Sequence, residues 1–128
     1  MRKTIKIIIA SITTLLSIII IISIILIGLF IYSINFKISD VSKYENEQNN
    51  YTIVFQAIGE PEWPFGVTKV KVTLLNSKGK KVESFQADIH NDGRTANERN
   101  IDINWQDSYV EVTLKGGEQE DDIYKMNY

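Results

Sequence analysis

The candidate catalytic groups of this 128-residue chain are its acidic side chains and its imidazole. The chain has one histidine, His90, and no cysteine. It contains neither a G-x-S-x-G nucleophile motif nor a glycine-rich phosphate loop that opens a helix. Acidic pairs suited to glycoside hydrolysis are numerous, and their spacing singles out none of them. We therefore predict a non-catalytic protein without a cofactor, in which His90 is a solvated loop residue.

Two acidic segments partly match cation-binding loops, because carboxylate oxygens are the ligands that calcium prefers. The segment that starts at Asp88 places His90 and Asp92 at ligand positions of a calcium loop, but Arg99 occupies the closing position, where a bidentate acid is needed. The segment "GGEQEDD" (116–122) is the better candidate. We predict no metal site but keep its four acids as candidates for a cation-dependent surface module: Glu118, Glu120, Asp121 and Asp122.

The segment "GEPEWPFG" (59–66) holds both prolines of the chain and one of its two tryptophans. Proline fixes φ and lacks an amide donor, so this segment should end strand pairing and form a stiff loop, and Trp63–Pro64 is a natural position for a cis peptide. Two interpretations stay open. Its aromatic side chains either fold back to plug one end of a small β-sandwich, or they present an anchor to a partner. The candidate partner-binding residues are Trp63, Phe65, Glu60 and Glu62.

The elements that position this loop are predicted from apolar residues that recur at every second position after residue 50. Six short strands are expected, and the segments 70–75 and 82–89 form the clearest hairpin around "NSKGK". No helical period separates the strands. We predict a mainly β domain over residues 51–128, a small antiparallel β-sandwich that is immunoglobulin-like or C2-like in shape.

The segment that precedes these strands is polar and lacks apolar periodicity. We predict that residues 37–50 form a polar tether, which holds the β domain away from the preceding element.

Residues 7–36 form a continuous apolar run rich in isoleucine, with no charged side chain. A bilayer core of about 30 Å needs about 20 helical residues, so this run is long enough to cross a membrane. A cleaved signal peptide is the alternative, but the run is about twice the usual apolar length and no A-x-A-like site follows it. We predict an uncleaved signal anchor at residues 7–36, preceded by a basic segment at residues 1–6.

The charges that flank this run predict its orientation. Arg2, Lys3 and Lys6 precede it, whereas Lys37 and Lys43 follow it among acidic residues. The more basic side stays in the cytoplasm, so the β domain should face outward. Beyond residue 37 ten basic residues remain against all 16 acidic ones, a net charge of −6, and a nucleic-acid partner is therefore not expected.

These observations predict a single-pass protein of a bacterial cell envelope, anchored in the cell membrane, whose outer domain is a non-catalytic binding module. The richness in isoleucine, lysine and asparagine is typical of an AT-rich bacterial genome. The expected partners are the membrane and another envelope protein or surface component, and self-association through small residues of the helix stays possible. The alternative functions are an accessory or immunity-type subunit that acts through its membrane helix, and the cation-dependent module.

Overall fold

The computed structural model describes residues 1–128, which form one long helix followed by seven strands. Helix α1 is apolar along almost its whole length and buries no residue against the rest of the chain. It is the one helix that is long and apolar enough to cross a membrane. The elements are α1 (Arg2–Asn35), β1 (Ile38–Glu45), β2 (Thr52–Ile58), β3 (Thr68–Leu75), β4 (Lys81–Ile89), a 3-10 turn (Glu98–Asn100), β5 (Ile101–Trp105), β6 (Tyr109–Leu114) and β7 (Asp122–Asn127).

The strands form two antiparallel sheets in which sequence neighbours pair. Strands β1 to β4 make the first sheet in the order β1-β2-β3-β4, and β5 to β7 make the second in the order β5-β6-β7. The predicted hairpins between β3 and β4 and between β5 and β6 are confirmed. The prediction of a mainly β, antiparallel domain is likewise confirmed.

One buried apolar cluster draws on both sheets and forms the core of the β domain. Alternate residues of β2, β3 and β6 point into this core, as the period of two predicts. Phe55 on β2 and Leu114 on β6 are among its largest members and are almost completely buried. The cluster consists of Ile53, Phe55, Val70, Val72, Leu74, Ile89, Ile101, Val110, Val112, Leu114 and Met126.

The predicted polar tether is wrong, because most of it forms strand β1. Residues 38–45 pair with β2 from Ile38 opposite Ile58 to Glu45 opposite Thr52. The strand lies at the edge of its sheet and is largely exposed, and its register shifts between Asp40 and Ser42. A β-bulge of this kind interrupts the alternation of side chains, so the strand has no clear period in the sequence. The β domain therefore begins at residue 38.

The β domain has two ends that the strand directions define. Strand β1 starts directly after α1, so the end that contains Ile38 is called the helix-side end. Because neighbouring strands are antiparallel, the β2–β3, β4–β5 and β6–β7 connections lie at the helix-side end. The other connections, including the β1–β2 turn at residues 46–51, lie at the opposite end, here called the far end.

Candidate functional site

The two most exposed aromatic side chains of the β domain lie at the tip of the β2–β3 loop. The amide of Glu62 donates to the carbonyl of Val67 at 3.0 Å, and the amide of Gly66 donates to the carbonyl of Glu62 at 2.8 Å. These bonds close the base of a turn whose tip is residues 63–65, here called the aromatic tip. Trp63 is 91% exposed and Phe65 is 71% exposed, and the Trp63–Pro64 peptide is cis.

The interpretation of these aromatic residues as a plug is therefore wrong. At the helix-side end of the first sheet, Thr68 and Ile89 face each other across β3 and β4 and are almost completely buried, whereas Trp63 and Phe65 remain exposed. The backbone of the tip lies against Gly93, where an added Cβ atom would be 2.6 Å from the carbonyl oxygen of Pro64, but the two aromatic side chains stay exposed. The alternative interpretation, an aromatic anchor directed at a partner, remains.

The β2–β3 loop is attached to the last turn of α1. The amide of Gly59 donates to the carbonyl of Lys37 at 2.8 Å, and the amide of Glu60 donates to the carbonyl of Ile34 at 2.7 Å. Gly59 has a positive φ of 66°, and a Cβ atom at this position would lie 2.1 Å from the carbonyl oxygen of Ile34. Only glycine allows this close approach, so the loop and the helix end form one connected unit.

A second connection supports the loop from the β4–β5 segment. The amide of Gly93 donates to the carbonyl of Gly66 at 3.3 Å, and the Thr68 hydroxyl donates to the carbonyl of Arg94 at 2.7 Å. The aromatic tip thus projects from a loop that is fixed on two sides, and a preorganised loop loses little conformational entropy when it binds.

Charged residues surround the aromatic tip in nearly equal numbers of each sign. Glu62 lies 3.8 Å from Lys69, and Asp92 lies 4.0 Å from Arg94, and all four side chains are largely exposed. Glu60 is exposed beside the helix end. Glu60 and Glu62 therefore flank the tip as the sequence predicts, but Glu62 is paired with a lysine.

A buried asparagine pair orders the β4–β5 segment and was not predicted. The side-chain amide of Asn100 donates to the carbonyl of Lys115 at 2.8 Å and to Asn91 Oδ1 at 3.2 Å. Its side-chain oxygen accepts from the backbone amide of Asn97 at 2.9 Å. Asn100 is only 5% exposed. The three-residue spacing of Asn97 and Asn100 is typical of a capping box, which is the signal in the sequence for this arrangement.

The four acids of residues 116–122 do not form a ligand cluster. All four are exposed, and no group of three or more histidine, cysteine or acidic residues in the structure could hold a metal ion. Gln119 organises this loop instead, because it accepts from the amide of His90 at 2.6 Å and donates to Asp122 at 3.1 Å. His90 itself is exposed at the end of β4.

One acid of this loop acts on a neighbouring lysine. Lys115 forms an ion pair with Asp102. The hydrogen bond to Asp102 and its negative charge raise the pKa of Lys115, and the charge of Asp121 raises it further. Asp121 is thus the one acid of this segment that acts on Lys115, and it does so through its charge without forming an ion pair.

No protein-family model matches this chain, and no curated protein or solved structure is significantly similar to it.

Proposed function

We propose that this chain is a single-pass, membrane-anchored binding module of a bacterial cell envelope. Helix α1 crosses the cell membrane with its N-terminal end in the cytoplasm, and the β domain, a small β-sandwich, lies outside. The module performs no chemistry. Its aromatic tip binds a component of the envelope, which is another envelope protein or a surface component.

The single observation that carries this proposal is the exposed aromatic tip on a loop that is hydrogen-bonded to the end of α1. Exposed tryptophan and phenylalanine side chains on a fixed loop lose little entropy on binding, and tryptophan is enriched among residues that dominate binding energy. The length and apolar character of α1 support the anchor. The basic residues Arg2, Lys3 and Lys6 support the orientation.

Membrane fractionation and protease accessibility test the anchor and its orientation. The full chain, with an epitope at its C-terminus, should remain in membranes after alkaline carbonate extraction. Protease added to intact protoplasts should then remove the epitope. Recovery in the soluble fraction would contradict the anchor, and complete protection of the epitope would contradict the orientation.

Substitution at the aromatic tip tests the binding function. In the full chain, Trp63→Ala should abolish capture of the envelope component, measured by crosslinking in intact cells, while the β domain remains folded. The matched control is Val82→Ala, because Val82 is an exposed apolar residue of β4 outside the tip. Equal loss of capture in both variants would contradict a role for the tip.

The accessory-subunit alternative has one observation in its favour. One face of α1 carries small residues, among them Ala10, Ser11 and Thr14, and they line a shallow groove. Small residues let a second helix approach closely. Replacing α1 with an unrelated membrane helix distinguishes the two functions. A binding module that acts through its β domain keeps its function after the exchange, whereas an accessory subunit that acts through its helix loses it.

A further inference from the structure

We infer that the aromatic tip binds the lipid surface of the membrane in which α1 is anchored. Trp63 and Phe65 lie in the headgroup region of the outer leaflet and hold the β domain against the membrane. This inference rests on the proposed function, because it requires that α1 crosses the membrane. It names lipid, rather than a protein, as the component that the tip contacts.

The position of the loop along α1 is the first step. The amide of Glu60 donates to the carbonyl of Ile34, which belongs to the last turn of the helix, and two residues lie between Glu60 and Trp63. In the sequence, Lys37 is the first charged residue after the apolar run. The base of the loop at Glu60 therefore lies beside the apolar end of the helix, on the membrane side of that first charge.

The length of the apolar run is the second step. At 1.5 Å per residue, residues 7–36 extend over roughly 45 Å, whereas the hydrocarbon core is about 30 Å thick and the whole bilayer with headgroups about 40–45 Å. An upright helix thus carries its last apolar turn into the outer headgroup region, and Lys6 and Lys37 lie at the two water boundaries. Ile34 and the attached loop then lie at headgroup depth.

The side chains at this depth are the third step. Tyr32 on the last turn of α1 and Phe36 directly after the helix are exposed and stack with ring centroids 6.4 Å apart. Trp63 and Phe65 add two more exposed aromatic rings at the same end of the molecule. Aromatic rings, tryptophan and tyrosine above all, concentrate at the boundary between hydrocarbon and water. In the proposed placement, the helix end and the aromatic tip lie at the same depth and together form one aromatic belt.

The apolar rings of Trp63 and Phe65 are less stable in water than in the headgroup region. A tryptophan that is 91% exposed at the tip of a fixed loop keeps most of its apolar surface in contact with solvent. Removal of apolar surface from water stabilises by about 25 cal/mol per Å². The headgroup region accepts the ring and still offers hydrogen-bond acceptors to the indole N–H.

The two tryptophans of the chain allow a direct test, because they lie at opposite ends of the β domain. Trp105 ends β5 at the far end, where it lines the same cleft as Glu45 and Asn46. Strand β1, with eight residues, separates the two ends by roughly 25 Å. Fluorescence quenching by bromine atoms on lipid chains acts only over short distances, so it separates one end from the other.

The experiment uses the full chain in phosphatidylcholine vesicles that contain lipids brominated near the headgroup. The variant Trp105→Phe keeps only Trp63, and the variant Trp63→Phe keeps only Trp105. We expect the Trp63 emission to lose most of its intensity in brominated vesicles relative to unbrominated ones, whereas the Trp105 emission remains unchanged. Adding Phe65→Ser to the Trp105→Phe variant should reduce the quenching of Trp63.

Equal emission of Trp63 in brominated and unbrominated vesicles would overturn the inference. Vesicle flotation of the same samples separates this result from a failure of the proposed function. A chain that floats with the vesicles but shows no quenching is anchored with its tip in water, whereas a chain that does not float contradicts the anchor itself.

A photoreactive amino acid at position 63 tests the inference in cells. We expect crosslinks to phospholipid, which appear as adducts in mass spectra of the purified chain. Crosslinks to a protein in place of lipid would overturn the inference and favour a protein partner for the tip. Position 82 on β4 provides the control, because Val82 is exposed outside the tip.

Discussion

At the scale of single residues, the two tryptophans show how much the environment decides the role of a side chain. Trp105 packs against the apolar core and lies with its ring centroid 6.1 Å from that of Tyr128. Trp63 has no aromatic neighbour of this kind and is almost fully exposed. We therefore expect Trp105 to contribute to stability, and the proposed binding role falls to Trp63.

Alanine substitutions separate these roles. Trp105→Ala should lower the free energy of unfolding of the full chain in detergent by ~2 kcal/mol, below the ~3–5 kcal/mol of a fully buried aromatic residue, because Trp105 is only half-buried. Trp63→Ala should change it by less than about 0.5 kcal/mol. Denaturant titration followed by circular dichroism measures both values. A large loss of stability in Trp63→Ala would mean that the tip belongs to the core.

The buried asparagine pair gives a second comparison between residues of one type. Asn100→Ala leaves the carbonyl of Lys115 and the amide of Asn97 without their partner, so we expect a loss of ~1–3 kcal/mol. Asn104 is exposed on β5 and bonds only to Glu111 at 3.4 Å, so Asn104→Ala should cost less than about 0.5 kcal/mol. Equal stabilities of the two variants would show that water replaces the missing partner.

At the scale of elements, the strands that line the core were predictable and the edge strand was not. Strands β3 and β6 largely alternate apolar and polar residues because one face of each packs on the core, and in β2 the core residues Ile53 and Phe55 keep the same spacing of two. Strand β1 is an edge strand with a bulge after Asp40, so neither burial nor alternation marks its sequence. Its main-chain pairing with β2 holds it in place, and main-chain pairing leaves little trace in residue types.

The residues of the candidate site could be predicted from the sequence, but their exposure and their attachment to α1 could not. The prolines and aromatic residues of the β2–β3 loop indicated a stiff loop with an anchor or a plug. The choice between the two depended on whether the aromatic side chains are buried in the folded chain, and Trp63 and Phe65 are exposed. The bond from Glu60 to Ile34 joins residues that are far apart in sequence, and no local pattern encodes it.

The contact between the β2–β3 loop and the end of α1 can be tested by substitution of a single glycine. Gly59→Ala introduces a Cβ atom 2.1 Å from the carbonyl of Ile34, so the loop must separate from α1. Gly79→Ala is the matched control, because Gly79 also has a positive φ, 72°, but nothing lies within 4 Å of its added Cβ. Both should carry a backbone strain of about 1–2 kcal/mol. Only Gly59→Ala should also reduce the quenching of Trp63 by brominated lipid, and equal quenching in both variants would contradict the junction.

At the scale of the whole molecule, the proposed membrane anchor places an acidic domain beside the membrane. Residues 38–128 carry a net charge of −6, and the acids of the β6–β7 loop lie at the helix-side end. Near the tip, Glu62 and Asp92 are paired with Lys69 and Arg94. If the domain contacts the membrane as we propose, electrostatic attraction to anionic lipids contributes little to that contact, and the aromatic side chains supply it.

This balance predicts how the contact depends on lipid charge and salt. Quenching of Trp63 by brominated lipid should be as strong in phosphatidylcholine vesicles as in vesicles that also contain phosphatidylglycerol, because a domain with a net charge of −6 gains nothing from an anionic surface. The quenching should also persist at 1 M salt, where the Debye length falls to about 3 Å and charge interactions between exposed groups are screened. A contact that required anionic lipid and disappeared at high salt would show that Lys37, Lys69 and Arg94, rather than the aromatic tip, hold the domain against the membrane.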